Sequence, residues 1–253
     1  MFISAQDFEQ QMPDGSQLLS NEPEMETSLH YTQLLILVTC LEFLWQDRED
    51  FFIGANLTIY FSRQQLKHRD FRGPDFFLVR QTEKRPRKSW VVWEEDGRYP
   101  NLIIELLSDS TADVDRNLKK QLYQDRFRTP EYFWFSPETL EFQGYRWQSG
   151  GYIEIPMTER GWRWSEELEL YLGVKHEQLR YFSASGDLIP TPIEAERQAQ
   201  QRIKQIARRA DQEAQRADQE AQRADQEAQR AEQEAQRAER LSERLRALDI
   251  EPG

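Results

Sequence analysis

The chain has 253 residues, 38% hydrophobic and 31% charged, with 33 Lys and Arg against 45 Asp and Glu, a formal charge of −12. All 30 aromatic residues precede position 191 and the last 63 residues contain none, which excludes two equal globular domains and marks a core at 1–190 with a polar tail at 191–253. Residues 1–190 hold 21 basic and 31 acidic groups, a balance that disfavours nonspecific coating of nucleic acid but leaves room for a local basic groove.

Residues 1–23 are polar and punctuated by Pro13, Gly15 and Pro23, so they read as a surface segment without the charged-then-apolar order of a signal peptide. Glu26 to about Gln46 reads as a helix, with Leu34, Leu37, Val38, Leu41, Leu44 and Trp45 at spacings of three and four and Thr27 or Ser28 as its cap. Its apolar stretch at 34–45 contains Glu42 and is shorter than the ~20 residues a membrane span requires. The single cysteine, Cys40, reads as a buried helix residue, and the expected setting is cytoplasmic and reducing, with no membrane partner.

Short β-type runs follow: FFIG, NLTIYF, DFFLVR, SWVVW, NLIIELLS, EYFWFSP and the hairpin-like LEFQGYRW/GGYIEIP, with turn signals at Asp96-Gly97 and Gly150-Gly151. A second helix fits Ala112 to about Arg126, stopped ahead of Pro130, and WSEELELYLGV closes the globular part. Strands interleaved with two helices indicate a mixed α/β or α+β domain around one central sheet. From Ala210 the unit ADQEAQR repeats, placing alanines four and three apart on the seam of a heptad coiled coil that slips by one residue at Leu241. The tail is read either as a stalk for oligomerisation or partner binding, or as a lone solvated helix.

Glu105 carries the most chemical information. It stands amid Leu102, Ile103, Ile104, Leu106 and Leu107, where a carboxylate is costly unless a cation, a metal or hydrogen bonds satisfy it. It is either a strand-end glutamate reaching solvent or an arginine, or part of a site. Asp75 follows Pro74 thirty residues earlier, as a turn residue or on a strand adjacent to Glu105, where two carboxylates would suit Mg²⁺. Asp115, Lys119 and Tyr123 step by four along one helix face. They read as an ion pair with a packed aromatic, or as the source of a lysine that orients water or steadies charge on a phosphate. His30 reads as a capping or packing residue, and His68 and His176 have no ligand partner in the pattern. The basic cluster Lys84, Arg85, Arg87 and Lys88 reads as a solvated loop or a contact for a phosphate backbone.

The order Pro74-Asp75, IELLS at 104–108, Asp115 through Tyr123 and Glu131-Tyr132-Phe133-Trp134 resembles the Uma family of restriction-endonuclease-like proteins, within the PD-(D/E)XK nuclease superfamily. The resemblance runs from about Glu24 to Val174. It implies a mixed sheet flanked by helices and hydrolysis of phosphodiester bonds in nucleic acid, DNA first, with Mg²⁺ or Mn²⁺ held by Asp75 and Glu105. The superfamily lysine two residues after the acid is replaced by Leu107, and the resemblance puts Lys119 in its role. It also suggests an added acid from the first helix, Glu24 or Glu26. Two functions are therefore expected to compete: a metal-dependent endonuclease acting as a homo-oligomer, and a non-enzymatic nuclease-like scaffold that uses its tail to bind a protein partner.

Overall fold

The structure, a computed structural model, describes residues 18–20, 27–62, 73–108 and 118–247, so Glu24, Glu26, His68 and Asp115 lie outside the described residues. The chain divides into two compact units, Met1–Pro192 and Ile193–Gly253.

In the first unit α1 (Ser28–Leu44) is capped by Thr27, whose hydroxyl accepts from the His30 N–H. It buries Leu34, Leu37, Cys40 and Leu41. The strands follow as β1 (Phe51–Ala55), β2 (Ile59–Tyr60), β3 (Phe76–Arg80), β4 (Trp90–Val91), β5 (Leu102–Leu106), β6 (Glu131–Phe135), β7 (Phe142–Gln148), β8 (Gly151–Glu154), β9 (Trp162–Ser165), β10 (Leu170–Lys175) and β11 (Gln178–Phe182). A six-stranded sheet runs β1-β3-β5-β6-β7-β8, beside a three-stranded sheet β11-β10-β9 and the short pair β2-β4. The expectation of one central sheet thus meets a mixed α+β fold with two further, smaller sheets.

Side chains alternate across the large sheet, which gives it two cores. Phe76, Leu78, Leu102, Ile104, Leu106, Phe133 and Phe135 face α1 and the sheet β9–β11. Phe77, Val79, Ile103, Tyr132 and Trp134 face Trp90, Ile59, Tyr123 and Phe127. Three glycines let aromatic rings lie flat across the strand pairs. A Cβ on Gly54, Gly144 or Gly173 would enter the ring of Phe77, Phe133 or Trp162, the residue opposite it in each register.

Within the large sheet β5 and β6 run parallel while the other pairs are antiparallel. Parallel neighbours need a long crossover. The described part of that crossover includes the helical residues Leu118 and Lys119 and then α2 (Lys120–Leu122), which runs on into a π-helical stretch, Tyr123–Phe127, closed by Arg128 at φ +51°. Tyr123 and Phe127 are buried on the second face of the sheet, so the crossover lies over the strands that carry Asp75 and Glu105.

The second unit is α3 (Pro192–Ala247), 56 residues and about 84 Å at 1.5 Å per residue. Its apolar residues Ile203, Ile206, Leu241 and Leu245 are exposed. Among the described residues no helix is long and apolar enough to cross a membrane.

Candidate active site

Ile103 and Glu105 are two apart on β5, so the Glu105 side chain projects toward α2 rather than toward α1. Glu105 is fully buried. Its Oε1 accepts from the Tyr123 hydroxyl at 2.7 Å, and its Oε2 accepts from Lys119 Nζ at 3.0 Å and from the Asp75 N–H at 3.4 Å. Lys119 and Tyr123 are one helical turn apart, which is why both reach the same carboxylate. A buried ion with a charged partner and two further donors is compensated; without them it would be costly. Lys119 keeps 13% of its side chain in contact with solvent, so the pair sits at the rim of the core.

The pairing Phe76↔Ile104 between β3 and β5, carried one residue further, sets Asp75 opposite Glu105. Pro74 precedes the strand, where its missing N–H costs no ladder bond. Asp75 Oδ2 accepts from the Leu106 N–H at 2.7 Å, and its carbonyl accepts from the Asn56 N–H at 2.7 Å. Both carboxylates are therefore oriented by contacts across one strand pair. They supply hard oxygen donors of the kind Mg²⁺ takes, one or two carboxylates with the remaining positions left to water. Among the described residues no group of three or more His, Cys, Asp or Glu forms a larger metal cluster.

The structure thus brings Asp75, Glu105 and Lys119 together. Reading the sequence missed the hydroxyl bond of Tyr123, taken there as a packed aromatic, although its i+4 spacing from Lys119 was a usable signal. His30 is buried and structural: Nδ1 lies 2.8 Å from the Thr27 hydroxyl and Nε2 3.1 Å from the Leu107 carbonyl. Since a carbonyl only accepts, Nε2 donates to that of Leu107. His176 occupies the two-residue hairpin turn between β10 and β11 with Glu177, at φ +52° and +63°. Glu131 is a second buried glutamate with a packing role. It accepts from the N–H groups of Glu166 and Glu167, from the Ser165 hydroxyl and from Arg146, joining β6 to the turn after β9.

The basic loop at 84–88 is neither solvated throughout nor aimed at the site. Arg87 is buried on Glu95 at 2.5 Å and over the rings of Phe52 and Trp90; Arg85 pairs with Glu95 and Lys84 with Glu42. A cleft of about 270 Å³ beside this loop has none of Asp75, Glu105 or Lys119 in its wall.

No curated protein matches the chain. Among solved structures it is similar to a crystal structure of "a putative nuclease belonging to DUF820" from Anabaena variabilis ATCC 29413, at 13% identity and a TM-score of 0.43, over 58% of this chain and 76% of that one. Residues 16–180 match the family model Uma2, described as "Putative restriction endonuclease". That span is more than half of the chain and contains β3, β5 and the crossover from β5 to β6 that brings Lys119 and Tyr123 onto Glu105, and the protein belongs to the Uma2 family.

Proposed function

We propose that the first unit hydrolyses phosphodiester bonds of nucleic acid, DNA first, with Mg²⁺ or Mn²⁺ held by Asp75 and Glu105. The observation that carries this reading is the meeting of Lys119, Tyr123 and the Asp75 backbone on the buried Glu105 carboxylate. Membership of a family described by restriction-endonuclease chemistry supports it. When bound, the ion would polarise the phosphate and lower the pKa of water. Asp75 and Glu105 supply the negative charge that holds it. The Tyr123 hydroxyl and the Leu106 N–H keep the two carboxylates from turning away. Lys119 provides a positive charge at the rim, where negative charge develops on the phosphate as water adds and the ester P–O bond breaks. One product then ends in a phosphate monoester and the other in a hydroxyl.

The test is a cleavage assay on duplex and single-stranded DNA and on RNA, with Mg²⁺, Mn²⁺ or EDTA. Wild-type protein is expected to cut only with a divalent ion, Glu105→Ala not at all, and Lys119→Ala on the order of 100-fold more slowly. Cutting by Glu105→Ala at the wild-type rate would remove the assignment.

The acidic balance of residues 1–190 and the exposed heptad face of α3 favour a second reading, a nuclease-like scaffold whose tail oligomerises or binds a protein partner. An inactive wild type whose mass or partner binding depends on the tail would select it.

A further inference from the structure

Among the described residues of the first unit, half or more of the cations besides the site lysine are paired with acids. Arg48, Arg80, Lys84, Arg85, Arg87, Arg98, Arg146 and Arg163 each form an ion pair. The segment that delivers Lys119 to Glu105 instead holds three cations over rings, as Arg160 is held over Trp162 and Lys175 over Phe182 elsewhere in the unit. Lys120 Nζ lies 3.4 Å from the centre of the Tyr145 ring, the Arg126 guanidinium 4.5 Å from that of Phe61, and Arg128 6.0 Å from that of Trp147. Among the described residues none of the three has a carboxylate at ion-pair distance. A ring face orients a cation without cancelling its charge.

These side chains are also arrayed. Tyr145 and Trp147 alternate on β7 and share a face. Gln124 bridges to the same hairpin, its carbonyl accepting from Trp147 Nε1 and its side-chain oxygen from the Tyr152 N–H. Lys120, Gln124 and Arg128, four residues apart, therefore follow one another along β7–β8. Arg126 stands on the opposite flank of the segment. Two acids lie nearby. Glu154, opposite Tyr145 on β8, is held by Arg163 at 2.8 Å, and Asp125 accepts from the Gln124 amide at 2.8 Å.

We infer that the segment carrying Lys120 and Arg128 over the β7–β8 hairpin, with Arg126 over Phe61 on its other flank, receives the phosphate backbone of the nucleic acid, and that the 84–88 loop does not. This rests on the nuclease reading and adds the surface by which an acidic unit takes an anionic substrate. The segment runs on directly from Lys119, so a strand lying along it leads to the Asp75–Glu105 carboxylates. At 84–88, by contrast, Glu42, Glu83 and Glu95 answer the charges of Lys84, Arg85 and Arg87.

The test is fluorescence anisotropy of labelled DNA and RNA oligonucleotides in EDTA, across a salt series, with the full chain. Lys120→Gln combined with Arg128→Asn, a residue that tolerates the left-handed backbone at 128, is compared with Arg85→Gln combined with Lys88→Gln in the 84–88 loop. The first pair is expected to weaken binding at least 10-fold and to lower the slope of log K against log salt by about 2, the second to change neither. Arg126→Gln alone, over Phe61, repeats the test on the other flank should the double variant melt early. Wild-type affinity in the segment variants, or loss of binding in the loop pair, overturns the inference and leaves the nuclease reading standing. A wild type that binds neither polymer removes both. If DNA and RNA differ in affinity while both depend on the segment, the sugar is read elsewhere.

Discussion

The Glu105 carboxylate is fully buried, and Lys119 Nζ at 3.0 Å is the positive charge the structure places on it. Removing the cation of such a pair leaves the buried carboxylate less fully compensated, with the Tyr123 hydroxyl and the Asp75 N–H still donating to it. Lys119→Met is therefore expected to lower the stability of the metal-free protein by about 3 kcal/mol, the lower end of that range because Lys119 touches solvent. Adding Glu105→Gln should recover most of the loss, and Mg²⁺ should recover part of it in Lys119→Met alone. Urea melts of the two variants, with and without the ion, check this; a Lys119→Met protein as stable as wild type would show that the pair is idle. A second carboxylate gives a pH signature. Burial, more than its neighbours, raises the pKa of Glu167 above its ordinary value, with Glu131 adding to the rise and Arg80 opposing it. The folded state then binds the proton more tightly than the unfolded chain, so this group's contribution is intact below the ordinary carboxylate range and is lost as pH rises through the folded value. Glu167→Gln is expected to flatten stability against pH in that window, and an unchanged slope in denaturant melts would refute it. At this scale much was legible. Glu105 betrayed itself as a charge inside LIIEL, and the four-residue step from Lys119 to Tyr123 put both on one helix face. The Leu106 N–H that orients Asp75 was not legible, because a backbone donor carries no residue-type signal.

Among the elements, the strands with unbroken apolar runs were readable, and those that depend on partners were not. SWVVW reads as a strand, yet only Trp90 and Val91 pair, with Ile59 and Tyr60, and the chain turns into a 3-10 helix at Val92–Glu94. β11 escaped because its core side chains are mixed with Arg180, buried on the Ile189 carbonyl at 3.2 Å, and β9 likewise carries the buried Arg163. The tail was the most legible element, and its charges now say more. With alanines at a and d, one flank of the seam carries Glu213, Glu220, Glu227 and Glu234, and the other Asp218, Asp225, Glu232 and Glu239. Arginines at 216, 223, 230 and 237 stand three or four residues from the first row, but Asp218 and Asp225 have only Ala and Gln at those distances. Two copies paired through this seam, parallel or antiparallel, set acid against acid. Self-association is therefore expected to strengthen with salt and below about pH 4, where screening and protonation remove the repulsion. Light scattering of the full chain across salt and pH reads this directly. A mass that falls with salt would contradict it, and a mass of one chain throughout would leave a partner with basic flanks as the stalk's occupant.

For the whole molecule, composition divided the chain at the last aromatic residues, and the boundary between the two compact units falls after Pro192. The charge of −10 on residues 1–190 spoke against nucleic acid as long as charge was only counted. The folded chain distributes it: acids pair the cations of the 84–88 loop, while Lys120, Arg126 and Arg128 remain over rings beside the site. That arrangement lay beyond sequence pattern because it depends on which distant acid each cation meets. The central claim is that Asp75 and Glu105 together hold a divalent ion. Isothermal titration of Mn²⁺ into wild-type protein, Asp75→Asn and Glu105→Gln tests it most directly, with folding of each checked by melting. The account predicts one ion per chain in the wild type and none in either variant. Stoichiometric binding that survives both substitutions, or a wild type that takes up no ion, would contradict it.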